Sequence, residues 1–137
     1  MTEKRMEDLD RGECYALLET AQLGRVAICA PNWGPVIRPV NYLLYEKSVV
    51  FRTARGSKFT ALLLSGHAAF EVDAVDQSSR TGWSVIVTGR AEEVENAAEL
   101  QRLDRLALEP WAPGDKPHWV RIRTVTVSGR RIKVGSQ

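Results

Sequence analysis

Between Ala68 and Thr88 the chain twice alternates apolar with mostly polar residues, one for one, and no long helical stretch separates the two runs. Ala68, Phe70, Val72 and Ala74 alternate with Ala69, Glu71, Asp73 and Val75; Trp83, Val85 and Val87 alternate with Ser84, Ile86 and Thr88. A period of two belongs to a strand with one buried face. Strands joined by short links pair antiparallel, because a parallel pair needs a crossover of about a dozen residues or more.

The rest of the chain fits that frame. Leu23 to Ala30 reads as a strand closed by the turn Pro31-Asn32-Trp33-Gly34. Val36 to Tyr45 reads as a strand with Pro39 at an edge or bulge, where a missing donor is tolerated. With the polar link Glu46-Lys47-Ser48 and a strand from Val49 to Thr53, residues 36–53 read as a hairpin. Further strands are expected over about 68–75, 82–94 and 118–127, the last with a slip near Thr124 that marks a bulge, and Gly129-Arg130-Arg131 reads as a turn.

Three short helices interrupt the strands. Asp10 and Glu13 make a capping box for one over about 10–20, and Asn96 and Glu99 make a second for one over about 97–107. A third begins near Ser57, with Phe59, Leu62 and Leu63 at helical spacing, and ends at Gly66. About six strands and three short helices without βαβ alternation predict a mainly β fold, an antiparallel barrel with peripheral helices, in one domain over residues 1–137.

Composition narrows the function. A net charge of +2 is too small to argue for nucleic acid or an anionic membrane. Cys14 and Cys29 form no CxxC pair and read as reduced, partly buried thiols, while His67 and His118 have no metal-ligand spacing and His67 reads as structural. No apolar run is long enough to cross a bilayer, and the charged first ten residues do not resemble a leader, so a cytoplasmic chain is expected. Glu71 and Asp73 share one strand face, as an acid pair or as a solvated surface.

The segment richest in chemistry is Phe51-Arg52-Thr53-Ala54-Arg55-Gly56-Ser57-Lys58. Arg52, Arg55 and Lys58 offer charge-assisted bonds to a phosphate, Thr53 and Ser57 offer hydroxyls, and Gly56 allows close backbone approach. The helix that follows adds free N–H groups at its start. The alternative is a solvated basic loop in which Ser57 is only a helix cap. Across the expected hairpin lies Arg38-Pro39-Val40-Asn41-Tyr42, where Asn41 could pair with the imide edge of a flat heterocycle. Four tryptophans, with Trp33, Trp83 and Trp111 in or beside loops, could supply flat apolar walls or ordinary packing.

In order and spacing these stretches, with Leu23-Gly24-Arg25-Val26-Ala27, Ala69-Phe70-Glu71-Val72-Asp73, Gly82-Trp83-Ser84-Val85-Ile86-Val87-Thr88-Gly89-Arg90-Ala91 and Pro110-Trp111, resemble the pyridoxamine 5′-phosphate oxidase-like family of FMN-binding split-barrel proteins, in its small single-domain branch. The resemblance implies a six-stranded split barrel of Greek-key type, a homodimer, and FMN in a groove between subunits. It implies that Ser57 and Lys58 bind the phosphate, helped by Arg52 and Thr53. Arg38, Pro39, Val40 and Asn41 would border the ring, and Trp83, Ser84 and Trp111 would form a second wall supplied in part by the partner. Related small proteins place a deazaflavin coenzyme or haem in the same barrel. The full oxidases are longer and grip substrate with C-terminal arginine and histidine; here Arg130 and Arg131 have no matching histidine, so oxidation of vitamin B6 is not expected. A flavin oxidoreductase and a non-catalytic flavin binder are then the two readings, with no acid or base identified.

Overall fold

The computed structural model describes residues 3–32, 34–54, 56–64 and 66–135. In chain order the elements are β1 (Lys4–Asp8), α1 (Arg11–Leu18), β2 (Leu23–Ala30), β3 (Gly34–Asn41), β4 (Leu43–Tyr45), β5 (Ser48–Thr53), α2 (Lys58–Leu63), β6 (His67–Asp76), β7 (Thr81–Glu93), α3 (Ala97–Arg105) and β8 (His118–Val134). The strands form one antiparallel sheet in the order β3-β2-β6-β7-β8-β5-β4. The strand β8 organises it: β7 pairs along one side, while the other side takes β5 at its start and β1 at its end. The sheet curls until β3 lies against β5, and Phe51, Phe70, Val72, Val85, Val87, Val120 and Ile122 fill the interior. A smaller cluster of Val50, Leu103, Leu108 and Trp119 seats α3 on the outside of β5 and β8.

The fold class is as expected, with eight strands among the described residues in place of six. One extra strand comes from the expected 36–53 hairpin. Its first strand breaks at Tyr42, so that β3 pairs with β2 and only β4 pairs with β5. Tyr42 is the pivot: its ring is buried, its hydroxyl donates to the Leu18 carbonyl, and its N–H donates to Gln22 O at 3.2 Å. The two-residue turn at Glu46 and Lys47, both at positive φ, then closes β4 onto β5. The other extra strand is β1, whose Lys-Arg-Met-Glu-Asp run has no apolar alternation and is ordered by pairing with the end of β8.

Gly129 is not a turn. The strand β8 runs straight through it, because a Cβ there would meet Cys14 Sγ at 2.9 Å and Ser84 O at 2.9 Å; the missing side chain lets α1 pack down on the sheet. The slip near Thr124 is real: Gly89 pairs with Thr124 and Thr88 with Thr126, leaving Val125 as the extra residue of a bulge. The first capping box is complete at Asp10 and Glu13. At the second, Asn96 accepts from the Glu99 N–H, while the Glu99 carboxylate pairs with Arg121 at 2.8 Å. Both cysteines are free thiols, but only Cys14 is buried; Cys29, expected to be partly buried, is exposed because it alternates to the outer face of β2. Among the described residues no helix is long and apolar enough to cross a membrane.

Candidate functional site

The strand β5 alternates as its sequence dictates. Val49, Phe51 and Thr53 face the interior, while Val50 and Arg52 face the α3 side. Thr53 ends the strand as a buried polar residue, and its hydroxyl has no hydrogen-bond partner among the described residues. Buried hydroxyls are seldom left so, since an unmade bond costs about 1–3 kcal/mol. Immediately beyond it Gly56 takes a positive φ of 71°, and Ser57 caps α2 by accepting from Thr60 N–H at 3.3 Å. A capping serine still has its own O–H to donate. Lys58 opens α2 and is exposed beside a cleft of about 400 Å³ lined by Ala30, Pro31, Asn32, Ala61 and Leu62. Since α2 has only six residues, its dipole adds little, and the hydroxyls and cations carry the polarity of this corner.

Arg38 joins the same corner from β3, its guanidinium 5.5 Å from the Phe59 ring of α2. Pro39 and Val40 follow on this edge strand, Pro39 exposed and opposite Arg25, and Val40 packed on the core. The edge position explains how β3 tolerates Pro35 and Pro39. Thr53, Ser57 and Lys58 thus follow one another from the end of β5 into α2, and Arg38 reaches the first turn of that helix through Phe59. Arg55 and Trp33 lie outside the described residues.

Two expected ligands are engaged elsewhere. Arg52 points away from Thr53 and donates to Lys116 O at 3.0 Å and Leu108 O at 3.3 Å, with its guanidinium 5.6 Å from the Trp119 ring. Asn41 accepts from Trp111 N–H at 2.8 Å and donates to Gln22 O at 3.2 Å. Both residues hold the loop between α3 and β8, where the Trp111 side chain stands exposed.

Trp83 and Ser84 are not near the basic corner within one chain. Trp83 pairs with Arg131 on β8, far along that strand from His118, the partner of Thr53. On the outer face of the sheet Asn41 pairs with Leu23 and Asp73 with Ser84, and extending the β2–β6 register from Arg25 and Glu71 by two residues sets Leu23 beside Asp73, which puts Ser84 roughly 14 Å from Asn41 at the usual strand spacing. Ser84 lines a cleft of about 680 Å³ with Asp73, Arg80, Trp83, Arg130 and Ile132.

The same face carries a charged cluster not foreseen in full. Arg25 Nη1 lies 3.3 Å from Glu71 Oε1 and 3.4 Å from Asp73 Oδ2. The signal was split between two strands: the acids are adjacent in sequence, whereas Arg25 joins them only through the β2–β6 register. The Glu71 carboxyl is pushed up from 4.5 to about 7, first by burial and then by Asp73, against the pull of Arg25. The folded chain thus holds this proton more tightly than the unfolded chain. The resulting stabilisation is complete below pH 4.5 and lost as pH rises to about 7. Glu71→Gln is expected to remove that component, flattening the stability profile over this window. The change should not exceed about 1 kcal/mol, since the group is partly exposed and screened. Thermal melts from pH 4.5 to 7.5 check it, and parallel profiles for both proteins would mean that Glu71 titrates normally.

His118 Nδ1 sits 2.8 Å from Glu93 Oε2, and His67 is exposed at the start of β6. No group of three potential metal ligands occurs among the described residues.

Comparison with known proteins agrees with this architecture. The chain is 36% identical to the uncharacterized protein Rv0080 of Mycobacterium tuberculosis, over 98% of this chain and 90% of that one. An FAD-binding protein of Mycobacterium smegmatis is 35% identical and superposes with a TM-score of 0.78, covering 90% of this chain and 96% of its own. An FAD-binding protein of Mesorhizobium loti is 29% identical with a TM-score of 0.73, covering 92% and 97%. Residues 10–131, from the cap of α1 to the outer part of β8, match the family model described as pyridoxamine 5′-phosphate oxidase, and with that match spanning most of the fold the chain belongs to this family.

Proposed function

We propose that this protein binds a flavin nucleotide, with the ribityl phosphate at Thr53, Ser57, Lys58 and Arg38 and the ring against Pro39 and Val40 of the β3 edge. The observation that carries the reading is the buried Thr53 hydroxyl, without a partner among the described residues, next to a serine and a lysine that suit an anion. FMN and FAD share the half held there. The cleft beside Lys58 leaves room past the phosphate, and two relatives of the chain are FAD-binding proteins, so FAD is the preferred ligand.

The second wall comes from another copy of the chain. Trp83 and Ser84 lie too far along the sheet to serve the basic corner of their own protomer, yet Ser84 shares the outer face with Pro39. That face also exposes Ile37, Val75 and Ile86, an apolar set suited to packing against itself about a two-fold axis. Ile86→Arg is expected to convert the dimer to monomer and to weaken flavin binding with it, as read by sedimentation and by titration. A monomeric wild type would remove the shared-site reading.

A bound flavin supplies reversible hydride acceptance, and the reaction class proposed is oxidoreduction of a small molecule. The chain's own residues contribute position and charge: Lys58, Thr53 and Ser57 anchor the phosphate end, and Pro39 presents no N–H of its own at the sheet edge. Titration of purified protein with FAD, FMN, riboflavin and a deazaflavin coenzyme, followed by absorbance, tests binding. Reduction by NAD(P)H then separates an enzyme from a binder. Failure to take up any flavin would defeat the proposal, and tight uptake of the deazaflavin alone would transfer it to that coenzyme.

A further inference from the structure

The loop between α3 and β8 has no regular structure of its own to fix its place. Pro110, Pro113 and Pro117 lack a donor, Ala107 takes a positive φ of 55°, and Gly114 takes one of 108°. Its position rests on side chains reaching in from the sheet. Arg52 grips it at both ends, through Leu108 O and Lys116 O, and Asn41 grips its middle, through Trp111 N–H. A carbonyl bonded to a guanidinium is held more firmly than one bonded to a neutral donor. Within this clamp Leu108 is drawn into the outer core, while Trp111 keeps 66% of its surface exposed at the end of β3. Between the loop and the β3–β4 junction lies a cleft of about 300 Å³, lined by Gln22, Asn41, Leu43, Glu109 and Trp111. An exposed indole held at a fixed place offers a flat apolar wall to a planar ligand.

We infer that Arg52 and Asn41 are positioning residues of the flavin site: they clamp the 106–117 loop so that Trp111 stands as a planar wall beside Pro39 and Val40. Neither is a direct ligand of the phosphate or the ring. The inference rests on the flavin reading above. The strongest support is one of sides: Arg52 and Thr53 leave opposite faces of β5, so the Arg52 charge sits across the sheet from the proposed phosphate corner.

The test uses the full chain with Arg52→Met and Asn41→Leu, each of which keeps the bulk and removes the grip. Without flavin, chymotrypsin should cut after Trp111 at least about tenfold faster in both variants, because loss of a charge-assisted or buried backbone bond raises the open population by that order. Cutting at the buried Trp119 and Phe51 should not change, which separates a loosened loop from a failed fold. FMN and riboflavin affinities should then fall by the same factor, so that their ratio stays within about twofold of wild type. A tenfold loss for FMN alone, with riboflavin and cutting unchanged, would make Arg52 a phosphate ligand and overturn the inference. Faster cutting with both affinities intact would overturn it as well, since the clamp would then not serve the site. Should wild type bind no flavin, the functional reading fails by itself; unchanged cutting in the variants would sink the clamp independently of flavin.

Discussion

Phe70→Ala is expected to lower stability by about 3–5 kcal/mol, the range for truncating a buried phenylalanine. The ring is fully buried, meets the Tyr42 ring edge-on at a centroid distance of 4.8 Å, and covers Gly24. Edge-to-face contact adds about 0.5–1.5 kcal/mol beyond area. Domains of this kind have only about 5–15 kcal/mol in total, so the variant should melt roughly 10–20 °C lower. Gly24 makes the expectation sharper. A Cβ on it would lie 2.2 Å from the Phe70 ring, so Gly24→Ala should also destabilise the native chain by pushing that ring aside. In Gly24→Ala/Phe70→Ala the new methyl instead occupies space that the ring has left. The double variant should therefore be more stable than the two single losses summed, a coupling of about 1 kcal/mol or more. Denaturant unfolding of the four proteins measures it, and simple additivity would mean that Gly24 and Phe70 do not share one space.

That pair illustrates what the sequence makes legible. The strand over 23–30 is read to its ends, because Val26 and Ile28 alternate toward the core and a Pro-Asn turn closes it. The glycine within it reads only as a small residue; that it exists to seat a phenylalanine from β6 depends on the register of two distant strands. Gly129 carries the opposite lesson. Glycine before two arginines suggests a turn, but the chain needs it for the close approach of α1, a tertiary demand with no local signature. The strand β1 is invisible for a related reason: its residues are charged because they pair with charges on β8, Glu7 with Lys133 at 3.0 Å among them.

The candidate site divides along the same line. Ser57 as a helix cap and Pro39 at an edge follow from local chemistry, and both stand where expected. Grouping Arg52 with Lys58 as one basic loop obscures the alternation that local chemistry also supplies: if Phe51 and Thr53 face inward, Arg52 must face out. The lack of a partner for Thr53 among the described residues, and the engagement of Asn41 by a loop seventy residues on, require the folded chain.

Lys58 and Thr53 together give the decisive measurement on function. Lys58→Ala should weaken binding of FMN by about 1.5–3 kcal/mol, roughly 10- to 150-fold, as for a lost hydrogen bond to a charged group. Riboflavin, which lacks the phosphate, should change little. FAD should lose less than FMN, because its inner phosphate is half of a pyrophosphate and carries one charge in place of nearly two. Thr53→Val has effects of opposite sign on the free and the bound protein. Without ligand it removes a buried hydroxyl that has no partner among the described residues, so the free chain should gain about 1 kcal/mol in stability. With ligand it removes a donor to the phosphate, so FMN affinity should fall while riboflavin is again spared. A hydroxyl with a purely structural task would not produce that pairing of a more stable free protein with a weaker complex. Equal losses of FMN and riboflavin in Lys58→Ala would show that the lysine acts on the fold, and would move the anion site away from the start of α2.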